Sequence, residues 1–110
     1  MSIREIRHPA TAELDLATIL RAAGDPVRLA VVRVLADDRE RTCTELRETL
    51  DMPASTLSYH LRLLREAGIT RSRPAGTERH VSLRRDDLES RYPGLVEVLV
   101  SGARKPARAA

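Results

Sequence analysis

The chain has 110 residues and a formal net charge of +3, which suits one domain with a modest core that a partner subunit would help to stabilise. It contains no apolar run approaching the ~20 residues of a membrane span, and its first ten residues lack the apolar core of a signal peptide. Because its single cysteine also excludes an internal disulfide, we expect a cytoplasmic protein that makes no membrane contact.

Hydrophobic periodicity divides the chain into three parts. Residues 1–12 show no period and are predicted to form a flexible arm, and the small, polar residues 101–110 are predicted to be a disordered tail. A single folded domain is therefore predicted over residues 13–100. Its fold class is mainly α with a small β-hairpin.

Two helices open the predicted domain. The first covers residues 14–23 and ends at Gly24, because glycine in the position after a helix tolerates positive φ. Asp25 followed by proline is typical of an N-cap and a first helical residue, so the second helix is predicted over residues 26–36. The charged residues 37–41 that follow are expected to form a solvated loop.

The middle of the chain has the outline of a helix-turn-helix. Thr42 and Glu45 form a capping-box pattern before a short helix over residues 44–50. The run Asp51-Met52-Pro53 breaks the periodicity, and a longer helix is predicted over residues 54–67.

The longer helix has two different faces. Leu57, Leu61 and Leu64 recur at i, i+4 and i+7 and form an apolar stripe. The opposite face carries side chains that can hydrogen-bond to base edges or phosphates, namely Ser55, Ser58, Tyr59 and Arg62. The alternative is an amphipathic helix whose polar face only meets water.

Basic charge is concentrated on this helix and on the segment after it. Residues 55–85 carry seven arginines and two glutamates, a net charge of +5, whereas the parts before and after them are net −2 and zero. Such a distribution is typical of a protein that binds a polyanion, and arginine favours forked hydrogen bonds to phosphate and guanine.

A β-hairpin is predicted after Gly68, with strands over residues 69–73 and 79–83 and a turn that contains proline and glycine. This hairpin would be the wing of a winged helix-turn-helix. We expect Arg73 and Arg79 on its strands, together with Arg62 on the preceding helix, to contact DNA phosphate. The alternative is a solvated basic hairpin.

Helical character resumes over residues 86–99, interrupted at Pro93-Gly94. A helix after a complete wing has little core left to cover, so it is expected to pair with the first helix in a dimer seam. The predicted interface residues are Leu16, Ile19, Leu20, Leu95, Val96 and Leu99. The alternative is that this helix folds back on its own domain.

Taken together, the segments DPVRLAVVRVLA, TCTELRETL, PASTLSYHLRLLREAGI and PAGTERHVSL resemble winged helix-turn-helix regulators of the arsenic-repressor (ArsR) family. The resemblance covers about residues 14–99, and STLSYHLRLLREAG is its most specific part. It implies a cytoplasmic bacterial homodimer, usually a repressor, on a near-palindromic operator whose half-sites lie ~34–36 Å apart.

The resemblance also assigns base-contacting positions, which fall on Ala54, Ser55, Ser58 and Tyr59. Ala54 stands where the family commonly has glutamine, and Tyr59 where it has histidine, so the operator sequence cannot be transferred. Thr77 and Glu78 occupy wing positions that are commonly basic.

The family's metal sites lack their ligands here. Thr42 and Thr44 occupy the two thiolate positions of the third-helix site, and Cys43 falls between them. The C-terminal helix contains no histidine. We therefore predict no metal and no cofactor. Cys43, in the first turn of a helix, leaves a redox-responsive regulator as an alternative.

The functional hypothesis is a sequence-specific regulator of double-stranded DNA, with an effector that the sequence does not identify. No nucleophile-base pattern or phosphate-cradling glycine loop is present, so an enzyme is not expected. One rival is a winged-helix module that binds a protein partner. Single-stranded nucleic acid ranks last, because the chain has no Phe or Trp on which bases would stack.

Overall fold

The computed structural model describes residues 6–102, so most of the predicted tail and the first five residues of the predicted arm lie outside the described part. Within that part, the elements are α1 (Leu16–Ala23), α2 (Pro26–Val34), β1 (Arg41–Thr42), α3 (Cys43–Leu50), α4 (Ala54–Glu66), β2 (Thr70–Ala75), β3 (Glu78–Leu83), α5 (Arg85–Arg91) and α6 (Leu95–Gly102). Single 3₁₀ turns cover Thr11–Glu13 and Leu35–Asp37. The predicted class, mainly α with a β-hairpin in a winged helix-turn-helix, is confirmed.

Side-chain caps start the first two helices. The carboxylate of Asp15 accepts from the Thr18 amide, so α1 begins two residues later than predicted. Asp25 accepts from the amides of Val27 and Arg28, which confirms the predicted start of α2. That helix ends at Val34 rather than residue 36, because the chain tightens there into a 3₁₀ turn.

Gly24 ends α1, but the predicted reason was wrong. Its φ is −77°, which any residue can adopt. A Cβ at this position would lie 3.0 Å from the carbonyl oxygen of Leu20. Glycine is favoured here because the chain passes close to the last turn of its own helix.

The helix-turn-helix forms where it was predicted. The hydroxyl of Thr42 accepts from the Glu45 amide at 3.0 Å, and the Glu45 carboxylate accepts from the Thr42 amide at 2.8 Å, so both halves of the capping box are present. Asp51 ends α3 in the left-handed region at φ 51°. This reversal directs the chain through Met52 and Pro53 into α4.

The wing belongs to a three-stranded antiparallel sheet in the order β1-β3-β2. Thr42 pairs with His80, and Ser72 with Val81. The residues predicted to be a solvated charged loop therefore lead into a short strand, a correction to the sequence prediction. Thr70 and Ser72 are buried while Arg71 and Arg73 are exposed, so β2 has one face toward the helices and one toward solvent.

A single core joins all the helices to the sheet. Its buried side chains are Leu14, Ile19, Ala22, Ala23, Val31, Val32, Leu35, Leu46, Leu57, Leu61, Leu64, Ala67, Ile69, Val81, Leu83, Leu88, Val96 and Leu99. The last helix, α6, packs against α2 of its own chain. None of the helices within residues 6–102 is long and apolar enough to cross a membrane.

Burial divides the six predicted interface residues. Ile19 and Val96 are fully buried and Leu99 is 7% exposed, because α1 and α6 bury these side chains in the subunit's own core. Leu16 and Leu20 are exposed, at 39% and 49%. On α6, Leu95 is partly buried. Val98 on the same helix is not among the six predicted residues, but its side chain is 66% exposed.

The described end of the predicted arm contacts the domain. His8 accepts a hydrogen bond from the amide of Ser72 at 3.0 Å, and the carbonyl oxygen of Pro9 accepts from Arg84 at 2.8 Å. Asp87 accepts hydrogen bonds from Arg84 and Thr11. The bond from Arg84, and to a lesser extent that from Thr11, holds the pKa of Asp87 below its usual range. No local pattern in the sequence predicts these contacts.

Candidate nucleic-acid interface

The four predicted base-contacting residues lie together on one exposed face of α4. Leu57, Leu61 and Leu64 are 1%, 6% and 0% exposed and anchor the opposite face in the core. Burial of that apolar stripe leaves the other face turned outward, and it carries Ala54, Ser55, Ser58, Tyr59 and Arg62. The two-faced helix predicted from periodicity is therefore present.

Pro53 occupies the N-cap of α4 at φ −64°. Proline fixes that angle but has no side-chain acceptor for the first amides of the helix. Leu57 donates its amide to the Pro53 carbonyl oxygen at 3.1 Å, so the helix is regular from its first turn. The positive end of α4 thus points out of the domain beside the small side chains of Ala54 and Ser55.

The ring of Tyr59 is held from two sides. The guanidinium carbon of Arg62 lies 5.8 Å from the ring centroid, within cation–π range. The ring of His60 meets it in a T-shaped arrangement, with centroids 5.2 Å apart and planes at 68°. An exposed tyrosine held in this way presents its hydroxyl in a defined direction.

His60 is in turn held by α2. Its Nδ1 lies 3.0 Å from a terminal nitrogen of Arg28, whose Nε donates to the Ala22 carbonyl oxygen. Arginine has no acceptor, so Nδ1 of His60 accepts and the ring proton lies on Nε2. His60 is thus a half-buried, hydrogen-bonded ring that supports Tyr59.

The two predicted wing arginines lie on opposite faces of the sheet. Arg79 lines a cleft between the wing and α4, together with Ser72. Arg73 lies on the outer face, where its Nε and a terminal nitrogen donate to Glu40 at 2.8 and 2.7 Å. The hydrogen bonds from Arg73, and more weakly His80 at 3.4 Å, hold the pKa of Glu40 below its usual range.

The tip of the wing is a tight turn at Gly76, with φ 62°. Glu78, which occupies a commonly basic position of the family, accepts from the hydroxyl of Thr44 at 3.0 Å. Its carboxylate thus ties the wing to α3.

Cys43 does not have the surroundings of an activated thiol. Partial burial raises the pKa of the Cys43 thiol, and the negative charge of Glu78 raises it further. The positive charge of Arg79 lowers this pKa but does not cancel the effect of burial. A raised pKa lowers the thiolate fraction, which is the reactive form, so the redox alternative loses support. Within the described part of the chain, no group of three or more His, Cys, Asp and Glu residues could hold a metal ion.

Two residues of the cleft were not selected from the sequence, Arg65 and Ser72. The signal for Arg65 was present, since it lies seven residues, or two turns, after Ser58 and therefore on the same side of α4. Ser72 had no local signal, because its position depends on how the wing packs.

Solved structures share this fold. The transcriptional repressor BigR from Xylella fastidiosa is 28% identical, with a TM-score of 0.65, over 83% of this chain and 88% of that one. The homodimeric winged helix-turn-helix domain of Mb0332 from Mycobacterium bovis, described as a possible ArsR-family regulator, has a TM-score of 0.66 over 86% of each chain. At 23% identity, the second likeness shows the fold alone.

Sequence comparisons give the family. A helix-turn-helix domain model, HTH_20, matches residues 23–73. The HTH-type transcriptional regulator YceK of Bacillus subtilis (strain 168) is 39% identical over 84 residues, which cover 76% of this chain and 84% of YceK. The chain belongs to the ArsR family of winged helix-turn-helix transcriptional regulators. This ArsR-family regulator is thus a DNA-binding protein and not an enzyme.

Proposed function

We propose that this ArsR-family regulator is a cytoplasmic repressor that binds a near-palindromic, double-stranded operator as a homodimer. The single observation that carries the proposal is the exposed polar face of α4, whose opposite face is locked into the core. A helix held in this way can enter a major groove without loss of packing. BigR, which shares the fold, is a transcriptional repressor.

Within that face, we assign base contacts to Ala54, Ser55, Ser58 and Tyr59. Alanine and serine let the helix approach base edges closely, and Tyr59 reaches further along the groove. Arg62 lies one turn beyond Ser58 and is assigned to phosphate.

On the wing, Arg79 is assigned to phosphate, because it lies on the side of the sheet that faces α4. Arg73 keeps this assignment only as a weaker contact, since its guanidinium is already paired with Glu40.

The homodimer is supported by exposed apolar side chains on the first and last helices, Leu16 and Leu20 on α1 and Val98 on α6. Burial of such side chains between two subunits would favour association. The related domain of Mb0332 is described as homodimeric. Ile19, Val96 and Leu99 would support this surface from within the core, and Leu95 would lie at its edge.

We further propose that this regulator does not use the family's metal sites. Thr42 and Thr44 stand at the thiolate positions, and a threonine hydroxyl is a poor ligand for zinc. The effector that would release the DNA is therefore of another class, or the protein is controlled by its abundance.

The test is fluorescence anisotropy with duplex DNA from upstream of the protein's own gene and with a scrambled duplex, at several salt concentrations. A preference of ~10³-fold or more, with a steep salt dependence, is expected. Tyr59→Ala should change discrimination between sites, whereas Arg79→Ala should weaken every site alike. If the operator does not lie upstream of the protein's own gene, a genome-wide DNA selection would find it. If that selection also showed no sequence preference, the protein would be a protein-interaction module instead.

A further inference from the structure

A cleft of about 340 Å³ lies between α4, the wing and the first residue of α3. Arg65 and Arg79 line it from two different elements, and the described residues of its lining include no carboxylate. The other lining residues are Cys43, Ser58, Leu61 and Ser72. Two cations that share a cleft without an acid form a site for an anion.

The other arginines of the basic segment are already occupied. Arg71 and Arg84 pair with Asp87, Arg73 with Glu40, and Arg85 with Asp38. Arg62 lies over the ring of Tyr59.

Arg65 and Arg79 differ from them. Among the described residues, neither guanidinium has a hydrogen-bonded or ion-paired partner. Arg65 and Arg79 therefore bring two guanidinium charges to this cleft that no carboxylate of the described residues neutralises, whereas Arg62, which also lacks such a carboxylate, lies over an uncharged ring.

Ser72 adds a hydroxyl to the lining of the same cleft. The residue is only 5% exposed and it lines the cleft. Its amide donates to His8, but its hydroxyl has no hydrogen-bond partner among the described residues. Among the described residues, Oγ1 of Thr70 is the only fully buried side-chain nitrogen or oxygen atom without a hydrogen-bond partner, so the Ser72 hydroxyl is accessible and can donate to a ligand in the cleft. The hydroxyl of Ser58 faces the same space from α4.

We propose that this cleft binds a single phosphate group between the recognition helix and the wing. A phosphate offers several oxygens, which match two guanidinium forks and the hydroxyl of Ser72, while Ser58 lies at the side of the cleft toward the base-contacting face. The chemistry is the same for a phosphate of the DNA backbone and for a free phosphate. When the phosphate comes from DNA, the inference rests on the proposed function, and it adds Arg65 and Ser72 to the interface.

One consequence separates a shared phosphate from two separate contacts. Each phosphate neutralised contributes about 0.9 to the slope of log K against log salt on duplex DNA. If Arg65 and Arg79 hold the same phosphate, the double variant loses about 0.9 in slope. Two independent contacts would lose about 1.8.

The first experiment therefore measures salt slopes by anisotropy for Arg65→Gln, Arg79→Gln and the double variant. Arg39→Gln, on an exposed loop, is the matched control for the loss of one charge. We expect losses of affinity from the two single variants that do not add in the double variant. A slope loss near 1.8, or none relative to the control, would overturn the proposal.

The second experiment needs no DNA. Inorganic phosphate is titrated into the ¹⁵N-labelled protein at constant ionic strength, and the Ser72 amide and the arginine Nε–H signals are followed by NMR. Saturable shifts that Arg65→Gln abolishes would show that the cleft takes free phosphate. If no shifts appear but the double variant loses about 0.9 in salt slope, the site binds a phosphate of the DNA backbone. If neither the shifts nor the slope loss appears, the proposal is overturned.

The two experiments also separate this inference from the proposed function. A protein that prefers its operator but shows neither signature remains a regulator without a phosphate cleft. A protein without sequence preference that still binds inorganic phosphate keeps the cleft and loses the operator.

Discussion

Tyr59 is the longest uncharged side chain on the exposed face of α4, and its orientation depends on residues that do not face DNA. His60 supports the ring edge-on, and Arg28 on α2 fixes His60 through Nδ1. This chain of contacts links the core of the subunit to a side chain assigned to read bases.

We expect His60→Ala to lower sequence discrimination by ~2- to 10-fold, because an aromatic pair contributes roughly 0.5–1.5 kcal/mol. Anisotropy on operator and scrambled duplexes measures the ratio. His60→Asn, which offers Arg28 an acceptor but no ring, separates the two roles of His60. An equal loss on both duplexes would contradict a role in positioning Tyr59.

His8 makes the stability of the regulator depend on pH. Partial burial, followed by the charges of Arg71, Arg84 and Arg65, holds the pKa of His8 below its ordinary value. The unfolded state therefore binds a proton more readily than the folded state, and stability falls as pH falls through and below about 6.5. The stabilising contribution of neutral His8 is complete above that pH.

Urea unfolding of wild type and His8→Gln at pH 7.5 and pH 5.5 tests this. Glutamine can still accept from the Ser72 amide but does not titrate. We expect the wild type to lose more stability than the variant between the two pH values. Parallel losses would assign the pH dependence to other groups.

Gly68 follows α4 at φ 84°, and a Cβ there would lie 2.1 Å from a methyl group of Leu14. Gly94 has nearly the same φ, 88°, but no atom of the described residues lies within 4 Å of its Cβ position. Gly94→Ala should therefore cost about 1–2 kcal/mol for the backbone alone.

Gly68→Ala should cost about 1–3 kcal/mol more than Gly94→Ala, since it also overpacks the site occupied by Leu14. Urea unfolding of both variants measures the difference. Equal losses would mean that residues 8–14 move aside without cost.

At the scale of elements, the two faces of the wing differ in their ion pairs. Arg73 on the outer face is ion-paired, whereas Arg79 on the inner face has no carboxylate partner among the described residues. Glu40 holds Arg73 on the outer face, so this arginine is withheld from DNA. We expect Glu40→Gln to raise affinity for every duplex and to steepen the salt slope by up to about 0.9, the contribution of one phosphate.

Asp38→Asn is the matched control, because it removes the same charge from the same loop but frees Arg85 instead. Asparagine also tolerates the left-handed conformation of Asp38, at φ 65°. Anisotropy at several salt concentrations compares the two. If both variants gained the same affinity for DNA, the gain would come from the change in net charge and not from the release of Arg73.

Elements with local signals were predicted well from the sequence. The caps at Asp25 and Thr42 and the break at residues 51–53 gave the helix starts, and the leucine stripe gave the buried face of α4. Strand β1 was missed because two residues form a strand only when β3 lies beside them. The pairing of Arg73 with Glu40 crosses 33 residues of sequence, and no local pattern predicts it.

At the scale of the whole molecule, an apolar stripe has the same pattern whether it faces its own core or a second subunit. This is why Ile19 and Val96 were selected with Leu16 and Leu20 as interface residues. Packing of α6 on α2 buries Val96, and packing of α1 on α2 and α4 buries Ile19. Leu16 and Leu20 are exposed and therefore available to a partner.

We expect Leu20→Glu to convert the proposed dimer into a folded monomer, since this side chain is 49% exposed in the subunit and contributes little to its core. Light scattering after size-exclusion chromatography measures the mass, and circular dichroism confirms the fold. Thr77→Glu at the wing tip adds the same charge far from α1 and should leave the dimer intact. An unchanged mass for Leu20→Glu would place the seam elsewhere.

The hydrogen bond from Ser72 to His8 has one further consequence. Because β3 is the central strand, the other side of β2 is an open edge, where unpaired amides can recruit a strand from another molecule. The side chain of His8 lies at this edge and occupies the amide of Ser72. We expect a protein shortened past His8 to leave this amide open to pairing with a strand of another molecule, and so to aggregate more readily.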